Sequence, residues 1–130
     1  MAVWTRDRNA FFTRFPVDPA KREKFIGLVN ELCAFAGPFY DRGCAFAFQG
    51  WSRDPNEWIV VASWDETVVQ ELRATADFQR INAGMLDCCV GPMIMEQFAG
   101  MDTDRSVYDI YPAGNSKVHM PGKTQEVIFR

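Results

Sequence analysis

Between Gly43 and Trp64, two apolar runs face each other across a six-residue turn, which leaves the chain few ways to fold. The first run is GCAFAFQGW. It alternates, with Cys44, Phe46 and Phe48 on one side and Ala45, Ala47 and Gln49 on the other. A period of two belongs to a pleated strand. The turn, Ser52 to Glu57, reads SRDPNE and has Asp-Pro at its centre, residues that bend the chain through local hydrogen bonding and a fixed φ. Trp58 to Trp64 is the second run, so the two form a β-hairpin. A hairpin needs a covered face, and the flanking sequence must supply the cover.

Both flanks do so in the same order. Asn9 to Phe15 has strand formers and no helix breaker, and Pro16 closes it. Asp18-Pro19 is an N-cap with proline at the first helical position. Phe25, Leu28, Val29, Leu32 and then Phe35 or Ala36 recur at helical spacing, and Gly37-Pro38 is expected to end that helix. On the other side, Asp65 caps a second helix directly after Trp64, with Glu66 in its first turn. Its apolar face is Val68 or Val69, Leu72, Ala76, Phe78, Ile81 and Met85. Gly91-Pro92 punctuates, and Met93 to Phe98 is a fourth strand. The order β-α-β-β-α-β is the α+β, ferredoxin-like arrangement, with two helices over one face of an antiparallel sheet. The other face is Phe-rich and bare, and pairing of two copies through it predicts a homodimer shaped as a dimeric α+β barrel. Residues 1–100 form this domain, and 101–130 are a C-terminal extension. Within the extension, Ser106 to Tyr111 reads as a strand and Pro112 to Lys123 as an exposed, turn-rich stretch. Glu126 to Phe129 reads as a short strand or a tail lying on the partner subunit.

Composition narrows the function classes. Of the 130 residues, 48% are apolar, enough for one packed core. The formal net charge is -3 and no basic cluster stands out, which argues against nucleic acid as a partner. The first residues, MAVWTRDRNAFF, carry charges where a signal peptide needs an apolar run. No apolar stretch approaches the roughly 18 residues needed to span a membrane, and the expected location is the cytoplasm. Cys33, Cys44, Cys88 and Cys89 fit that setting as free, buried thiols. Their spacing and the absence of a glycine-rich phosphate loop predict no metal and no cofactor.

Two stretches carry a resemblance. One is RGCAFAFQGWSRDPNEWIVVASW, a glycine-opened strand, an aspartate-proline turn and a strand ending in tryptophan. The other is the following helix, through Ala76-Asp77-Phe78. From about Ala10 to Gly100 the chain resembles the antibiotic biosynthesis monooxygenase family of dimeric α+β barrels. The resemblance implies a homodimer that oxidises a small aromatic, polyketide-like or quinol substrate without metal, flavin or other cofactor: the deprotonated substrate reduces dioxygen itself, and the protein supplies shape, anion stabilisation and a dry site. The family's glutamate two residues before the tryptophan corresponds here to Ala62. Its helix-two histidines correspond to Leu72 and Asp77, and the lone His119 lies outside the matching region.

For such chemistry the chain offers Trp64 to stack on a flat ring, Asn9 to hydrogen-bond a phenol or enolate oxygen, and Arg73 to stabilise an anion. Phe12, Tyr40, Phe46, Ala62, Leu72 and Phe78 are the candidate substrate wall. Plainer roles stand beside these. Trp64 can be core, Asn9 a turn cap, and Arg73 an exposed partner of Asp77 four residues on. Met93 and Met95 alternate as packing residues, and Trp51 and Trp58 clamp the hairpin. The missing histidines favour a second reading, a non-catalytic small-molecule binder on the same dimer. They also count against a haem-degrading relative, which needs an axial imidazole.

Overall fold

Phe11, Thr13 and Phe15 are buried while Phe12, Arg14 and Pro16 are only partly so, the period-two signature that makes Ala10–Pro16 a strand with one covered face. The computed structural model describes residues 6–120 and 123–130. Met1–Thr5, on which part of the leader reading rests, and the side chain of His119 lie outside the described residues.

The strand just named, β1, is central. On one side it pairs antiparallel with β3 (Glu57–Trp64), and beyond that lies β2 (Cys44–Trp51). On the other side it pairs antiparallel with β4 (Met93–Phe98). The order β2-β3-β1-β4 is the ferredoxin-like sheet expected from the sequence. Two strands extend it. β6 (Lys123–Phe129) pairs parallel to β4, with Met93 opposite Val127, and β5 (Gly114–Met120) pairs antiparallel to β6 at the edge. The C-terminal strand is therefore part of its own chain's sheet. Gly114 opens β5 at φ 142°, in a region that disfavours a side chain.

Three helices cover one face. The first, α1, runs Arg22–Gly43 and passes through Pro38 instead of stopping at Gly37. Pro38 costs a helix one N–H donor. It lies on the exposed side, where the carbonyl it leaves unpaired meets water. Leu32, Ala36 and Tyr40 meanwhile keep the sheet-facing stripe going at four-residue spacing, so packing outweighs the local penalty. The helix ends where it meets its neighbour: a Cβ at Gly43 would stand 2.7 Å from Val68 Cγ2.

The expected second helix is two helices. α2 is Glu66–Arg73, capped by Asp65, whose carboxylate accepts from the Val68 N–H. α3 is Ala76–Asp87, capped by Thr75. The Thr75 hydroxyl donates to the Leu72 carbonyl at 2.7 Å and accepts from the Phe78 N–H at 3.2 Å, so one side chain ends α2 and begins α3. Ser106 to Tyr111 is not a strand either. Asp104 caps a 3-10 turn over Arg105–Asp109 by accepting from the Ser106 N–H, and Val107 is buried beneath it. The stretch expected to be turns holds β5.

The dense core sits toward the hairpin-turn end. Phe15, Phe25, Trp58, Ile81, Leu86 and Met93 are among its buried residues. Trp51 lies opposite Trp58 with ring centroids 5.1 Å apart, clamping the hairpin as expected. Of the cysteines, only Cys88 is fully buried, and Cys33 is exposed. The opposite sheet face carries Phe12, Phe46, Phe48, Val61, Ile94 and Phe98, with Phe48 71% exposed in the protomer. Arg14 stands among them, 3.3 Å from Glu57 and 4.0 Å from Glu96.

Candidate functional site

Toward the other end of the sandwich the sequence stops filling the space. Thr13 stands between Phe11 and Phe15 on the covered face of β1, Val60 and Ala62 stand between Trp58 and Trp64 on β3, and Ala36 faces them from α1. Small side chains in both layers leave a cavity of about 300 Å³ between helices and sheet. The floor comes from Thr13, Val60, Trp64, Met93, Met95 and Val127, and the roof from Leu32, Ala36, Tyr40, Leu72, Phe78 and Met85. A cavity that is mostly apolar with a few polar groups is the usual form of a small-molecule site.

The polar groups fall at two ends. At one, the Tyr40 ring lies 4.7 Å from the Trp64 ring, tilted by 37°. Burial, with smaller contributions from Cys33 and Cys44, pushes the Tyr40 phenol up to about 12. Beside it, Gln49 is fixed by accepting from the Trp58 indole N–H at 3.2 Å. At the other end is Arg73, the last residue of α2. Its guanidinium lies 5.1 Å from the Phe11 ring centre and 5.0 Å from that of Tyr111. Burial lowers its pKa, opposed by the nearby Glu66 carboxylate. Arg73 Nη1 donates to the Tyr111 hydroxyl. That hydroxyl also accepts from Gln70 Nε2 at 2.7 Å and donates to Glu66 Oε1 at 2.9 Å. Asn82 also lines the cavity, with no hydrogen-bond partner among the described residues. The described lining residues include no carboxylate and no imidazole. Among the described residues no cluster of three or more His, Cys, Asp or Glu could hold a metal. No helix among them is long and apolar enough to cross a membrane.

No family model matches the chain, and no curated protein matches its sequence. Solved structures do match. A Caulobacter crescentus CB15 protein provisionally named an antibiotic biosynthesis monooxygenase superposes with a TM-score of 0.65 at 18% identity, over 73% of this chain and 91% of that one. A Nitrosomonas europaea protein under the same provisional name gives 0.64 at 14% identity, over 87% of this chain and 100% of its own. Rv0793 of Mycobacterium tuberculosis gives 0.62 at 19% identity, over 72% and 95%. The fold is that of the antibiotic biosynthesis monooxygenases.

On that monooxygenase fold the candidate residues part company. Trp64, Arg73, Tyr40, Leu72 and Phe78 all line the cavity. Ala62 is buried next to it, opposite Phe11. Phe12 and Phe46 stand on the opposite sheet face, because each is out of phase with its cavity-side neighbours. Asn9 precedes β1 and is absent from the lining; its carbonyl accepts from the Ser63 hydroxyl at 2.7 Å, and its side-chain oxygen is buried without a partner among the described residues. Arg73 does not pair with Asp77, which instead approaches Arg80 at 3.6 Å. Of the two positions expected from the sequence resemblance to correspond to histidines, Leu72 is in the cavity wall and Asp77 is on the exposed surface. Sequence reasoning passed over Asn82, Thr13, Gln49 and Tyr111. The signal for Asn82 was available: it falls four residues after Phe78 and three before Met85, a lone amide on an otherwise apolar stripe.

Proposed function

We propose that the chain is a cofactor-independent monooxygenase for a small, flat, electron-rich aromatic substrate of polyketide or quinol type, acting as a cytoplasmic homodimer. The observation that carries this is the mostly apolar cavity lined by the tilted Tyr40–Trp64 ring pair and, apart from it, by the Arg73 guanidinium. In this reading the substrate ring lies against Trp64 and Tyr40, between Leu72, Phe78 and the sheet. Arg73 holds the oxygen that becomes anionic when the substrate loses its proton to solvent; the electron-rich anion reduces dioxygen, one oxygen atom entering the ring as a carbonyl and the other leaving as water with the substrate's own hydrogens. Asn82 and Thr13 supply hydrogen bonds that fix the ring's orientation. Phe12, Phe46 and Phe48 belong in this reading to the dimer face, since an apolar patch of that extent calls for a partner. Exposed Cys33, outside any disulfide, suits a reducing compartment.

The lack of a carboxylate or imidazole in the described lining favours one other reading, a binder that holds such a ligand without turning it over. Oxygen uptake separates the two. With a hydroxyanthrone in chelator-treated buffer, the enzyme consumes oxygen well above the autoxidation background, and Arg73→Gln lowers the rate. Uptake no faster than background, with the ligand bound, leaves the binder.

A further inference from the structure

We infer that Tyr111, carried by the segment after β4, is the positioning residue that makes the cavity selective for an anionic ligand, by aiming the Arg73 guanidinium without neutralising it. The inference rests on reading the cavity as a ligand site. Tyr111 lines the cavity beside Arg73, and its ring is held on two sides: edge-on to Phe11 at 5.5 Å and stacked on Phe129 at 5.8 Å with 24° between planes. The segment leading to it is anchored by buried Val107 and by the Tyr108 hydroxyl, which accepts from the Ala99 N–H at 3.0 Å.

The hydrogen bonds run in one direction. A phenol has one proton and two lone pairs. Tyr111 gives its proton to Glu66 and takes Gln70 Nε2 and Arg73 Nη1 on its lone pairs, so its oxygen is saturated and its orientation fixed. The phenol is thereby interposed between Glu66 and Arg73. A direct carboxylate contact would cancel the positive charge at the cavity wall; among the described residues the Arg73 guanidinium has no ion pair and no hydrogen-bond partner besides Tyr111. A guanidinium carries five N–H groups, and the others remain for a ligand oxygen. Planar, forked donors of this kind favour a carboxylate or an enolate over a neutral oxygen.

Isothermal titration calorimetry with 2-naphthoate and its neutral isostere 2-naphthamide tests this on the full-length protein. Wild type binds naphthoate more tightly than naphthamide. Tyr111→Phe keeps both ring contacts but frees the guanidinium to rotate, so naphthoate affinity falls about tenfold. Naphthamide affinity in that variant stays within about twofold of wild type. Glu66→Gln keeps an acceptor for the phenol proton and removes the opposing charge, so the preference for naphthoate rises. An equal loss for both ligands in Tyr111→Phe makes the tyrosine mere wall and overturns the inference, as does no loss for either. If Tyr111→Phe fails to fold, a fall in preference in Glu66→Gln overturns it alone. Binding of neither probe by wild type removes the ligand-site reading itself, a result distinct from unaltered selectivity in the variants.

Discussion

Tyr40 and Arg73 show how far a residue's role depends on which side of an element it occupies. Arg73 sits in QELRATAD, a surface-looking sequence with an aspartate four residues on. Because α2 ends at Arg73 and Thr75 starts a new helix, the four-residue spacing never places the two side chains together, and the guanidinium turns to the cavity. Tyr40 follows the helix-breaking pair Gly37-Pro38 in sequence yet is fully helical and faces Trp64. Its phenol titrates at about 12 in the folded chain, above the ordinary 10.0, because burial disfavours the phenolate. The folded state therefore holds a proton that the unfolded chain gives up first. The stabilisation from neutral Tyr40 is complete below the ordinary value and is lost as pH rises from there through about 12. Denaturant unfolding at a series of alkaline pH values checks this: wild type loses stability across that window, and Tyr40→Phe has a flatter profile there. Parallel profiles would mean that the phenol is as well hydrated as in the unfolded chain.

At the scale of elements, the parts legible in the sequence were those set by local pattern. The hairpin follows from the alternation of β2 and the Asp-Pro turn, β1 and β4 from strand formers bounded by Pro16 and by Gly91-Pro92, and Trp64 was placed on the cavity side of β3 by period-two alternation from Trp58. What was not legible depended on tertiary contact. Pro38 is tolerated because the stripe through Leu32, Ala36 and Tyr40 packs on both sides of it. The break at Thr75 is a cap hidden inside what reads as one apolar face. β5 has little apolar pattern of its own, since an edge strand needs only one neighbour. The alternation of β2 and β4 also defines the uncovered face, where Phe48 is 71% exposed and Phe98 48% exposed. Burying one such ring stabilises an interface by about 2 kcal/mol. Light scattering should give twice the 14.8 kDa chain mass, and Phe48→Asp should shift the protein toward that mass itself while leaving far-ultraviolet circular dichroism unchanged. A wild type that stays monomeric at micromolar concentration contradicts the face-to-face pairing.

Over the whole molecule, one arrangement links fold to function. The ferredoxin-like sandwich packs its dense core at the hairpin-turn end, and beyond it small residues such as Thr13, Val60 and Ala36 stand among the rings, so that the space left over becomes a cavity. The C-terminal segment then completes the wall with Tyr111, Ser116, Val127 and Phe129. The most direct test of the cavity as ligand site is anaerobic titration with a hydroxyanthrone, followed by tryptophan fluorescence in wild type and in Trp64→Phe. The account predicts saturable quenching in wild type and at least about fivefold weaker binding in Trp64→Phe, since a stacked ring pair contributes on the order of 1 kcal/mol. Equal affinity in both proteins, or a Trp64→Phe variant that no longer folds while wild-type fluorescence never responds to ligand, would contradict it and make the indole part of the core.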